Sequence, residues 1–170
     1  SKILRFEGHF HGWHDDVVHG FRPPFEANGS LGVPNEIRDQ IVTIPDGDLN
    51  LVEEVLSKDD KIAATILEPS GASWGRVPLD SGFLLGLRKL TSRYRVPLIF
   101  DEVVTGFRFS PGGVQQMINV LPDLTCFAKI IAGGMPGGAV VGKAEIMSLL
   151  ELNGDAHHDR HQRLVQHGTF

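Results

Sequence analysis

Apolar runs and amphipathic stretches take turns along this chain, and their order predicts strands and helices in alternation. Lys2 to Phe6 reads as a strand. Asp48 to Ser57 reads as an amphipathic helix capped by Asp48, with Glu53 and Glu54 on its polar side. Lys61 to Leu67 is a short apolar strand rich in β-branched residues that ends in Glu68-Pro69. From Asp80 to Tyr94, apolar residues at Phe83, Leu84, Leu87 and Leu90 have helical spacing, and Arg93 and Arg95 suit the negative pole of that helix. Pro97 then opens the run Leu98-Ile99-Phe100, a buried strand that delivers Asp101 and Glu102 just before a glycine-containing turn.

Ser110 to Asn119 reads as a turn and short helix, and Asp123 to Phe127 as a further strand. Gly138 to Gly142 is its hairpin-like partner, small enough for close backbone approach, and Lys143 to Leu150 follows as a helix. Val17 to Pro45, rich in Gly, Pro and Asn with little periodicity, predicts an irregular surface excursion. Asn153 to His167 is polar and predicts no element. Repeated strand, helix, strand units imply right-handed crossovers in an α/β fold with a mainly parallel, doubly wound sheet.

With 170 residues and 41% hydrophobic content the chain suffices for one such domain. A net charge of -5 without a basic patch argues against nucleic acid or an anionic membrane surface as partner. One cysteine, Cys126, excludes an intrachain disulfide and fits a reducing compartment, with the cytoplasm as the expected location. No apolar run approaches the length of a bilayer span.

Parallel sheets bind ligands at the carboxyl ends of their strands, so chemistry is expected near Asp101 and, on the same edge, near Glu68. Each also has a plain structural alternative as a turn or helix cap. Lys129 follows an apolar strand and precedes Ile130-Ile131 and the glycine-rich turn Gly133-Gly134-Met135-Pro136-Gly137-Gly138. Such surroundings predict a desolvated amine whose pKa falls far enough to form a Schiff base; the alternative is a lysine that snorkels to solvent. The aromatic turn after the first strand holds Phe10 and Trp13, which either wall a site or sit in the core under a loop. His9, His11 and His14 raise a metal-binding module as a different class of function, although no Cys or carboxylate stands at a recognisable metal spacing from them.

Ile99-Phe100-Asp101-Glu102-Val103, Thr105-Gly106-Phe107-Arg108 and Ala128-Lys129-Ile130-Ile131-Ala132-Gly133-Gly134 together resemble the class III aminotransferases, fold-type I enzymes dependent on pyridoxal phosphate (PLP). Phe109-Ser110-Pro111-Gly112-Gly113-Val114 and Pro122-Asp123-Leu124-Thr125 look most like the glutamate-1-semialdehyde 2,1-aminomutase group. The resemblance implies a Schiff base on Lys129, Asp101 against the pyridine nitrogen, Val103 beneath the ring, and Phe10 stacked on it beside His11. Glu68 would lie beside the cofactor, and Thr169 would reach the phosphate of a neighbouring subunit in a homodimer. Substrates would be an amino acid or amine with a keto or aldehyde partner; a catalytically silent structural member of the fold is the remaining alternative. The turn Ser70-Gly71-Ala72-Ser73-Trp74-Gly75 departs from the Gly-Asn form common in the family. Because the family is longer, residues 1–170 are expected to be a central part of its PLP-binding large domain, lacking an amino-terminal phosphate loop and a carboxy-terminal small domain, with weak cofactor retention alone.

Overall fold

The computed structural model describes residues 1–25, 31–152, 154, 155, 157 and 159. Its first elements are β1 (Lys2–Phe6), α1 (Asn35–Arg38), β2 (Ile41–Ile44), α2 (Leu49–Lys58), β3 (Ile62–Leu67), α3 (Ala72–Gly75) and β4 (Val77–Pro78). They are followed by α4 (Ser81–Tyr94), β5 (Leu98–Asp101), α5 (Gly113–Ile118), β6 (Leu124–Ala128), β7 (Gly138–Gly142) and α6 (Ala144–Met147). Six strands form one sheet in the order β2-β1-β3-β5-β6-β7. Every neighbouring pair is parallel except β6 with β7, whose connection through residues 129–137 is shorter than a parallel crossover requires.

The helices start where the sequence places their caps. Asp48 accepts hydrogen bonds from the amides of Asn50 and Leu51, and Asp80 accepts one from Gly82. Leu4 and Phe6 of β1, Leu67 of β3 and Leu98 and Phe100 of β5 meet Val52 and Leu56 of α2 and Phe83, Leu84 and Leu87 of α4. Phe6 and Phe83 pack edge to face, with centroids 5.7 Å apart. Gly86, unfavourable inside a helix, is explained by this layer: a Cβ there would stand 2.2 Å from Cδ1 of Leu49, so its absence lets α2 and α4 close on each other.

One expectation from the sequence is corrected. The stretch from Val17 to Pro45 is not irregular throughout, because α1 and β2 lie within it and β2 pairs with β1 from Ile3↔Ile41 to Phe6↔Ile44. β2 is an edge strand of four residues that buries only Ile44, so it leaves little alternation to read. α2 and α4 share one face of the sheet, and the strand order reverses at β1, with β2 on one side of it and β3 on the other. The crossovers from β2 to β3 and from β3 to β5 step the same way across the sheet, and right-handed connections that step the same way place their helices on the same side. The opposite face, with Ile66, Ile99 and Cys126, is half-buried. Among the described residues no helix is long and apolar enough to cross a membrane.

Leu87 is fully buried between α4 and the sheet, whereas Leu121 is 72% exposed. Leu87→Ala is expected to lower the unfolding free energy by about 2–5 kcal/mol, and Leu121→Ala to change it by less than about 0.5 kcal/mol, in urea denaturation.

Candidate functional site

β1, β3, β5 and β6 are consecutive neighbours in the sheet and run the same way, so their carboxyl ends open on one edge. The chain leaves β1 into the segment carrying Phe10 and His11, β3 at Glu68, β5 at Asp101 and β6 at Lys129. These residues, with Gly12, Val103 and Val104, line one cavity of about 140 Å³. Of the site residues expected from the sequence, only Thr169 is missing from this wall, and it lies outside the described residues.

Asp101 is the fixed acid of the cavity. Its Oδ2 accepts a hydrogen bond from Nδ1 of His11 at 2.8 Å and its Oδ1 one from the amide of Val103 at 3.1 Å. With the proton of His11 on Nδ1, the lone pair of Nε2 is buried and has no protein partner. The His11 side chain is 1% exposed, and burial pushes its pKa below the ordinary histidine value although the bond to Asp101 and its charge pull the other way. Val103 does not continue the strand. β5 stops at Asp101 because its carboxylate turns back to cap the next turn, yet Val103 still reaches the cavity wall.

The adjacent acid does different work. Glu102 is fully buried, and its carboxylate accepts from the hydroxyl of Thr105 at 2.9 Å and from the amides of Val114 and Gln115 at 2.8 and 3.0 Å. It thereby satisfies the free amides at the start of α5. Gly113, at φ 76, is required there, since a Cβ would lie 2.3 Å from Oε2 of Glu102.

Lys129 opens a 3-10 turn, Lys129–Ala132, with its own φ at 54°, a conformation few side-chain-bearing residues adopt. Within residues 1–170 Lys129 is exposed, as are Ile130 at 40% and Ile131 at 42%. The apolar neighbours that suggested a greasy pocket themselves face outward. Opposite, Phe10 packs on Trp13 and Phe21 at centroid distances of 5.2 and 4.8 Å, so it is both cavity wall and part of an aromatic cluster.

His9, His11 and His14 do not converge. His9 bonds Asp46, His11 bonds Asp101, and His14 is 78% exposed beside Asp16. Among the described residues no group of three or more His, Cys, Asp or Glu side chains could hold a metal ion. What the sequence reading missed is the support behind the cavity, made of Arg5, His9 and Asp46. Arg5 is fully buried in β1, its guanidinium donates to the carbonyls of Val17 and His9, and burial lowers its pKa to about 10. A lone arginine inside a strand as apolar as Lys2 to Phe6 was the available signal, since such a charge must find partners inside.

His9 and His11 both have pKa values held down chiefly by burial. As pH falls below about 6.5 the unfolded chain therefore takes up protons that the folded chain refuses, and stability is lost until the folded pKa values are reached. The urea midpoint is expected to be lower at pH 5.5 than at pH 7.5, with a shallower fall in His11→Asn (urea melts at both values). Glu102→Ala is expected to cost about 3 kcal/mol at either pH, because it leaves buried donors unpaired.

The profile of the class III aminotransferases matches residues 1–169. The glutamate-1-semialdehyde 2,1-aminomutase of Desulforamulus reducens is 44% identical over 158 residues, which cover 91% of this chain and 37% of that protein. An omega-transaminase from Sphaerobacter thermophilus superposes with a TM-score of 0.85 at 32% identity, over 98% of this chain and 39% of its own. A transaminase solved with PLP bound gives 0.83 at 26% identity, over 99% and 39%. The chain thus spans little more than a third of the length of the relatives it matches. A family match that runs through all four strand ends, on a sheet shared with solved transaminases, places this chain among the class III aminotransferases.

Proposed function

We propose that these residues are part of the cofactor-binding large domain of an enzyme that moves amino groups with PLP, of aminotransferase or glutamate-1-semialdehyde 2,1-aminomutase type. The observation that carries the reading is the meeting of an amine, a fixed carboxylate and an aromatic ring around one cavity at four adjacent strand ends. The donor set fits the cofactor: Asp101 for the ring nitrogen, Phe10 and Val103 for its apolar faces, and Lys129 for its carbonyl carbon. A buried Nε2 of His11 without a protein partner also calls for a polar group in the cavity.

Bound PLP supplies an electron sink for the charge left when a substrate carbon loses its proton. The chain supplies the rest. Asp101, oriented by His11 and the Val103 amide, holds a proton on the ring nitrogen. Lys129, on an exposed turn, moves the substrate's proton at its Nζ as general base and then acid. Glu68, 3% exposed, borders the cavity and anchors Phe10 through its amide at 3.0 Å. Thr169 is assigned a phosphate contact across a homodimer interface, the substrates are an amino acid or amine with its keto or aldehyde counterpart, and the compartment is the cytoplasm.

Saturating the chain with PLP is expected to give a yellow absorbance that borohydride fixes on Lys129, located by peptide mass spectrometry and absent in Lys129→Ala. A signal that does not depend on Lys129 overturns the assignment. Asp101→Ala in the active enzyme is expected to lower amino-group transfer by about 100-fold or more.

A further inference from the structure

The segment that carries Phe10 and His11 has no regular secondary structure and lies between Gly8 at φ 77 and Gly12 at φ 104. Left-handed glycines at both ends give it freedom, and such freedom is lost only when specific bonds offset the entropy. Asp46 holds the His9 ring, Asp101 the His11 ring and the Phe6 carbonyl the His9 amide, and three further bonds tie the segment to its surroundings. The Arg5 guanidinium donates to the carbonyl of His9, the Phe10 amide donates to Oε2 of Glu68 at 3.0 Å, and the Glu68 amide donates to Nδ1 of His9 at 2.9 Å. His9 itself is fully buried, its ring 5.9 Å from that of Phe6 and 6.2 Å from that of His11.

The partners of His9 fix its proton. A backbone amide can only donate, so Nδ1 accepts and the proton sits on Nε2, which donates to Oδ2 of Asp46 at 3.2 Å. The imidazole therefore bridges the segments that follow β1, β2 and β3. Glu68 grips the cavity wall twice, by its amide through the His9 ring and by its carboxylate at Phe10. None of His9, Asp46 or Arg5 lines the cavity.

We propose that His9 is a positioning residue: its Nε2–H imidazole, set between the Glu68 amide and the Asp46 carboxylate, fixes where Phe10 and His11 stand in the cavity wall. Its consequence for cofactor binding rests on the PLP reading of that cavity, whereas the placement of His11 does not. A direct test is nitrogen NMR of the chain labelled with 15N-histidine, which reads each ring's tautomer, together with PLP titration. In the wild type, His9 is expected as Nε2–H and His11 as Nδ1–H. His9→Phe keeps an aromatic ring and removes both bonds, so the two nitrogens of His11 should average and PLP binding should weaken about tenfold, while unfolding stays cooperative. His9→Asn, whose side-chain oxygen takes the place of Nδ1, should restore His11 and most of the affinity.

A folded His9→Phe in which His11 is unchanged overturns the proposal, as does a wild-type His9 found as Nδ1–H. Should His9→Phe not fold, an Nε2–H His9 with His11 preserved in His9→Asn upholds it, and any other pair of results overturns it. A wild type that binds no PLP removes the cofactor reading alone, because the behaviour of His11 still decides about His9.

Discussion

Parallel pairing is the constraint on which the rest of this structure depends. Strands that run the same way must end at the same edge, and four of them, side by side, end in the residues that line the cavity. The connections that step the same way, from β2 to β3 and from β3 to β5, then return across one face. That requirement explains α2 and α4 on a shared layer, the glycine at position 86 that lets them close, and the aromatic contact between Phe6 and Phe83. Burial of the helix face therefore fixes the register of the strands, and the register fixes how the strand ends face one another. The site is a consequence of the fold's core rather than an addition to it.

Asp101 and Glu102 show how one strand end serves two masters. Consecutive residues at the end of a strand point to opposite sides. Asp101 is turned to His11 and the cavity, while Glu102 is turned inward to the amides of α5. Both are low in exposure, at 9% and 0%, and both are held by donors rather than left as bare charges. A buried carboxylate without donors would be a large cost, so the short helix after the turn is part of what makes the pair of acids possible.

Much of this was legible in the residues themselves. The helices were readable because Asp48 and Asp80 are strong caps and the apolar spacing from Phe83 to Leu90 is regular. Asp101, Glu68 and Lys129 were readable because charged residues that end apolar strands stand out, and Phe10 and His11 followed from family resemblance. β2 was not, since a half-buried edge strand carries little pattern. The exposure of Lys129 was not either, because Ile130 and Ile131 look like core residues in one dimension and only the three-dimensional turn shows them facing outward. The pairing of His9 with Asp46 and with the Glu68 amide depends on strand order, which brings the ends of β1, β2 and β3 together, and no local spacing encodes that order.

On the proposed PLP reading, the contrast between the acid and the amine has a chemical meaning. Asp101 has both oxygens committed to donors and low exposure, so it is held in one place. Lys129 begins an exposed turn with a left-handed backbone, a strained conformation of the kind that persists where the surroundings determine it. A group that keeps a proton on a ring must not move, because its effect depends on a fixed distance. A group that takes a proton from one atom and gives it to another has to travel, and a long flexible side chain on an open turn suits that task. In that proposal the rigid strand end and the open turn divide the chemistry between them. The bonds of His9, Glu68 and Arg5 keep the aromatic wall on the rigid side of that division.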